Sequence, residues 1–124
     1  MNNYGKTALK AVGYCKKGYL PVEAWDKAAI EIFGNSTSAV KNCPKSAFLG
    51  LCEEGLVKNI PMGNYTLSEK NKDYALLAVA ILKLNRNRRY TPIELWDKIR
   101  TKTIRHNSQM DVVLGLWENN LIID

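Results

Sequence analysis

Apolar residues recur every three or four positions along most of this chain, the spacing of helices that bury one face. Ala8, Leu9, Val12 and Cys15 set the pattern over 3–16, with Lys6, Lys10, Lys16 and Lys17 on other faces, and Gly18 ends it. Pro21 opens a second helix, because the first helical position leaves its N–H unpaired in any case. Val22, Trp25, Ala29, Ile32 and Phe33 form its apolar stripe, and Gly34-Asn35-Ser36 breaks it. Small polar residues over 35–43 predict a loop or a loose turn. A third helix starting near Pro44 carries Phe48, Leu49, Leu51 and Cys52 to Gly55, a residue suited to a left-handed helix stop. Two short β-prone runs, Leu56 to Ile60 and Tyr65 to Leu67, flank Pro61-Met62-Gly63-Asn64 and predict a hairpin.

Ser68 caps a fourth helix over about 69–84, with Tyr74, Leu77, Ala78, Ile81 and Leu82 at helical spacing. A basic loop follows, from Asn85 to Tyr90. Thr91-Pro92-Ile93-Glu94 is a capping box with proline at the first helical position, and the helix it opens runs to about 102. Ser108 with Asp111 predicts a cap for a sixth helix ending near 119. Leu121-Ile122-Ile123 closes the chain as an extended segment able to pair with the hairpin.

These elements occur twice. Pro21-Val22-Glu23-Ala24-Trp25-Asp26-Lys27-Ala28 returns as Pro92-Ile93-Glu94-Leu95-Trp96-Asp97-Lys98-Ile99. Leu49-Gly50-Leu51-Cys52-Glu53 returns as Leu114-Gly115-Leu116-Trp117-Glu118, and Ala8 to Val12 matches Ala75 to Val79. Matched blocks in one order predict two diverged copies of a three-helix unit. The expected fold is mainly α: six helices as two pseudo-repeated, winged-helix-like units with one small β-hairpin. The first unit spans 1–67 and the second 68–124, packed as one body because a unit near 60 residues buries too little surface alone.

Composition adds bounds. No apolar run reaches the roughly 18 residues of a membrane span, and the start lacks a signal peptide's apolar stretch, so a cytoplasmic chain with no membrane partner is expected. Cys15, Cys43 and Cys52 are odd in number and form no C-x-x-C pair, which favours free thiols. The net charge is +6. Residues 1–62 hold eight lysines against five acids, and 63–124 hold ten basic residues against seven acids, a surplus of three in each half. That surplus favours a polyanion or an acidic surface as partner. It leaves the oligomeric state open.

From Ser36 to Leu67 the chain resembles the second half of a winged helix-turn-helix domain. Glu53-Glu54-Gly55-Leu56-Val57 and Tyr65-Thr66-Leu67-Ser68 carry that resemblance. It implies a reading helix followed by a two-stranded wing, and DNA as the partner. The helix Lys45 to Glu54 departs from the pattern, because apolar residues dominate it where a reading helix carries polar ones. Over its whole length the chain is also similar to a family of small uncharacterised bacterial proteins. The matching residues are Asn3-Tyr4-Gly5, Pro21 with Ala24-Trp25, the string from Cys43-Pro44-Lys45 to Leu56, and Gly63-Asn64-Tyr65. That similarity implies origin and little chemistry.

Trp25 and Trp96 at equivalent positions are expected to anchor the core. Gly50 and Gly115, inside helices and between leucines, are expected at close helix–helix contacts. Glu23 and Glu94 sit where a carboxylate meets the positive helix end, and Asp26-Lys27 and Asp97-Lys98 read as solvent-facing pairs. The one histidine, His106, and the cysteine spacing build no standard zinc site, and no catalytic motif or phosphate-cradling glycine loop is present. A Cys43–His106 thiol–imidazole pair stays open. No enzyme activity, cofactor or metal is expected. The leading expectation is a non-enzymatic DNA-binding or regulatory module. Arg86, Arg88, Arg89, Lys102 and Arg105 would contact phosphate, Asn107 and Gln109 would reach base edges, and Lys41 and Lys45 would serve the start of the third helix. The alternative is a protein-interaction module, adaptor or inhibitor, that sets the basic loop on an acidic partner. One continuous basic face favours nucleic acid, and scattered charge beside an exposed apolar patch favours a protein.

Overall fold

The computed structural model describes residues 1–66, 68–99 and 105–124. Its architecture is mainly α: α1 (Asn3–Lys16), α2 (Pro21–Phe33), a short 3-10 turn (Thr37–Val40), α3 (Asn42–Glu53), α4 (Glu69–Leu84), α5 (Pro92–Ile99) and α6 (Gln109–Glu118). The helix ends follow local chemistry. The Asn2 side chain accepts the amides of Tyr4 and Gly5 at 2.9 and 3.0 Å. Thr91 and Glu94 close the capping box in both directions, at 2.9 and 3.2 Å. After α3 and α6 the chain turns through Gly55 (φ 72°) and Asn120 (φ 58°), the two residue types that enter the left-handed region most readily. In both turns the next amide reaches back to the helix, from Leu56 to Leu51 O at 3.0 Å and from Leu121 to Leu116 O at 2.9 Å.

Two helices form the centre. In α3 every residue from Ser46 to Glu53 is buried, and α6 buries seven of its ten residues. α3 packs on α2, α4 and α6, while α6 packs on α1, α3, α4 and α5. Trp25 (1 % exposed) lies 5.3 Å from the Phe48 ring, and Trp96 (3 %) meets Tyr74 edge-on at 5.0 Å. Both indoles are therefore core anchors. A Cβ on Gly50 would lie 2.8 Å from Cα of Lys72 in α4, and one on Gly115 would lie 3.1 Å from Cα of Gly5 in α1. Both glycines mark close helix crossings, as expected of them.

Four sequence expectations need correction. First, the turn within 35–43 is a regular 3-10 turn rather than a loose one, and α3 starts at Asn42 with Pro44 inside its first turn, where a missing N–H costs no helical bond. Second, the hairpin over 56–67 does not form among the described residues. Val57 instead pairs antiparallel with Ile122 in an isolated bridge. Lys58 N donates to Leu121 O and Ile123 N to Leu56 O, both at 2.8 Å. The residues that a second hairpin strand would need are held by Glu53, whose carboxylate accepts the amides of Tyr65 (2.8 Å) and Thr66 (3.1 Å). Third, Ser108 makes no side-chain cap and takes φ 64°. His106 Nε2 accepts the Met110 amide at 3.1 Å in its place. Fourth, Asp26 does not merely face solvent beside Lys27; it pairs with Lys45 at 2.9 Å. The expected end of the fifth helix, beyond Ile99, lies outside the described residues.

Candidate nucleic-acid interface

α4 and α6 lie side by side and point the same way. At their starts, Gln109 Nε2 donates to Asn71 Oδ1 at 3.0 Å. At their ends, the Arg86 guanidinium sits 5.5 Å from the Trp117 ring. The 16 residues of α4 span about 24 Å. The expected basic residues are thereby divided between two distant ends rather than gathered on one face.

Arg86, Arg88 and Arg89 occupy the C-terminal end. All three are exposed, and they line a shallow 180 Å³ cleft with Trp117 and Glu118. Two of them already have partners. Arg86 reaches Asp124 at 2.9 Å, and Arg88 stacks 4.5 Å from the buried Tyr90 ring. Both helices end here, at the negative end of the macrodipole, which cations stabilise. The charge of this loop thus has structural work close at hand.

The N-terminal end is different. There the starts of α3, α4 and α6 converge on a cleft of about 540 Å³ lined by Cys43, Ser68, Lys70, Asn71, Tyr74, Arg105, His106, Asn107 and Gln109. Its floor is a fixed polar chain. Ser68 Oγ accepts from Asn71 Nδ2 at 3.0 Å, Asn71 accepts from Gln109, and Gln109 Oε1 accepts the Asn107 amide at 2.6 Å. Lys41 Nζ then bonds Asn107 Oδ1 at 3.4 Å. Lys70 and Arg105 are exposed, and no described residue forms an ion pair with either. Two cations with no ion pair to a described residue thus stand beside three helix starts, whose amide ends are positive.

His106 closes the cleft on the α5 side, 5.3 Å from the Trp96 ring. Burial favours its neutral form and pushes its pKa below the ordinary value, with Asp111 opposing the shift. Asp111 Oδ2 lies 3.8 Å from Nε2, but Nε2 already accepts the Met110 amide. With Nε2 accepting that amide, the neutral imidazole carries its proton on Nδ1, and in that form the contact is no salt bridge. Burial also raises the Asp111 carboxyl pKa.

Of the residues expected to bind nucleic acid, Arg105, Asn107 and Lys41 come together at this cleft. Arg86, Arg88 and Arg89 do not join them. Gln109 is 2 % exposed and both ends of its amide are engaged, so it cannot read a base edge and instead braces the cleft floor. Lys45 is tied to Asp26, and Lys102 lies outside the described residues. Sequence reasoning missed Lys70 and Tyr74. Their signal was their spacing of four on one helix beginning at the Ser68 cap. Cys43 and His106 do line the same cleft. All three cysteines are free, and burial raises the Cys52 thiol pKa well above its ordinary value. Among the described residues no cluster of three or more His, Cys, Asp or Glu side chains is placed to hold a metal ion. No described helix is long and apolar enough to cross a membrane.

Over residues 1–123 the chain matches a family of unknown function, DUF6979, and belongs to it. No curated protein and no solved structure gives a significant match.

Proposed function

We propose that this chain is a non-enzymatic nucleic-acid-binding module that grips the phosphate backbone at the cleft between the starts of α3, α4 and α6. The observation that carries the proposal is the grouping of Lys70 and Arg105, neither ion-paired with a described residue, with three convergent helix N-termini. Helix starts present amide donors to anions, and cations beside them add charge that water alone screens. The winged-helix form of the reading is weakened. α3 and α6, the two helices placed to enter a groove, are central core helices, and the wing is missing among the described residues. The module therefore contacts backbone rather than reading a major groove.

The same proposal includes a doubled architecture. The α3–α4 crossing at Gly50 and Lys72 has its counterpart in the α6–α1 crossing at Gly115 and Gly5. These four residues occupy matched positions in the two sequence copies. The backbone bonds from Lys58 to Leu121 and from Ile123 to Leu56 exchange in the same way, so the first helix of each copy packs on the third helix of the other. This arrangement supports two copies related by an approximate twofold axis between α3 and α6.

Binding to a random-sequence oligonucleotide, titrated with salt, tests the proposal. Affinity falling steeply between low and moderate ionic strength is the expected result, and affinity indifferent to salt rejects phosphate contacts.

One observation favours a second reading, contact with an acidic protein partner. α4 exposes Leu77, Ala80 and Leu84 along one face, ending at the Arg86–Arg89 loop. The matched positions are Lys10 and Gly13 on α1 and Lys17 just after it, as expected for a solvated face. An apolar stripe beside cations suits an acidic surface with apolar patches. Leu77→Ser with Leu84→Ser would weaken such a contact by removing its apolar part and leave salt-dependent nucleic-acid binding intact.

A further inference from the structure

We infer that the cleft at the starts of α4 and α6 receives one unstacked nucleotide of a single-stranded nucleic acid. The inference rests on the nucleic-acid reading and narrows its substrate class. The cleft volume of about 540 Å³ falls within the range of pockets that enclose small ligands. A flat phosphate-tracking surface needs no such hollow. A base inside a duplex cannot enter it, because stacking holds that base between its neighbours.

The lining supplies what one nucleotide needs. Tyr74 is half-buried, and its ring is pinned edge-on against Trp96, which in turn packs on His106. A ring braced by a second aromatic and lining the hollow supplies a stacking surface for any base. Lys70 stands one turn before Tyr74 on α4, and Arg105 lines the same cleft. Both are free to take phosphate oxygens. The Asn107 carboxamide has its oxygen on Lys41, which leaves its Nδ2 donors for a base carbonyl or sugar oxygen. His106 contributes Nδ1–H, because Nε2 is held by the Met110 amide. The Asn71–Gln109 bond fixes the floor, so little ordering remains to be done on binding.

The experiment compares a short oligothymidylate with a hairpin duplex of equal charge by fluorescence anisotropy at low salt. The wild-type chain, Tyr74→Phe and Tyr74→Leu are measured side by side. The expected result is tighter binding of the single strand. Tyr74→Leu loses roughly tenfold on the single strand, the contribution of one stacked base, and nothing on the duplex, while Tyr74→Phe retains wild-type affinity. Duplex binding as tight as the single strand, or equal losses on both, overturns the inference while phosphate gripping stands. Absence of binding to either overturns both readings. Should Tyr74→Leu fail to fold, competition on the wild-type chain decides. Displacement of the oligothymidylate by thymidine monophosphate but not by inorganic phosphate supports the cleft assignment, and equal displacement by the two contradicts it.

Discussion

Gly50 in α3 faces Lys72 in α4 so closely that a Cβ on the glycine would fall 2.7 Å from the Cβ of Lys72 and 2.8 Å from its Cα. The obstructing atoms belong to a helix backbone and its first side-chain carbon, so neither can swing away. Gly50→Ala must therefore push α4 off α3, at a cost of about 1–3 kcal/mol for overpacking. Gly115→Ala meets Gly5 Cα at 3.1 Å and costs less, because the gap is wider. Gly13 has nothing within 4 Å and is exposed in α1, so Gly13→Ala raises stability by about 0.5–1 kcal/mol. Urea unfolding of the three variants gives the order directly. Equal destabilisation by all three would mean that helix spacing does not set the penalty.

Glu53 ties the segment after α3 to the start of α4. Its carboxylate takes two backbone amides and the Lys72 ammonium, at 2.7 Å, and these partners hold its pKa below the ordinary value. Glu53→Leu strands the amides of Tyr65 and Thr66 and should cost about 3 kcal/mol. Glu53→Gln keeps an acceptor for those amides, and Glu54 remains on Lys72 at 2.7 Å, so its cost should be nearer 1 kcal/mol. Chemical denaturation of both variants checks the ratio.

His106 is the chain's one histidine. Its folded pKa lies below the unfolded value of about 6.5. The unfolded chain then binds the proton more readily, and stability rises with pH across this window. The contribution is complete above about pH 6.5 and is lost as pH falls through the folded pKa. Asp111 acts in the opposite sense: its raised pKa adds stability that is present below the ordinary carboxylate range and lost as pH rises through its folded value. Thermal melts from pH 7.5 to 5.5 should show a decline in wild type that is absent in His106→Gln. A decline of equal size in that variant would assign the effect to other groups.

Much of the fold was legible because its signals are local. The capping box at Thr91 and Glu94, proline at the start of α2 and α5, and the left-handed stops at Gly55 and Asn120 depend on neighbours in sequence. The hairpin failed for a non-local reason: Val57 finds Ile122, 65 positions on, and Glu53 captures the amides of Tyr65 and Thr66. Neither competitor is visible in the turn chemistry of Pro61 to Asn64. Gln109 was misplaced for a similar reason. It looks like a surface amide at a helix start, and only the approach of Asn71 from α4 buries it. The basic residues were legible as a set but not as a layout. Their separation follows from α4 and α6 running parallel, which no charge count records.

That separation is also where binding can be located. Fluorescence anisotropy with a single-stranded oligonucleotide, repeated over a range of salt, should be run on Lys70→Ala/Arg105→Ala and on Arg86→Ala/Arg89→Ala. The first double variant should lose most of its affinity, and its salt slope should shrink by about 0.7 for each phosphate contact removed. The second should keep both the affinity and the slope of the wild type. Retained binding in Lys70→Ala/Arg105→Ala, with the loss falling on Arg86→Ala/Arg89→Ala, would contradict the assignment of phosphate to the helix starts.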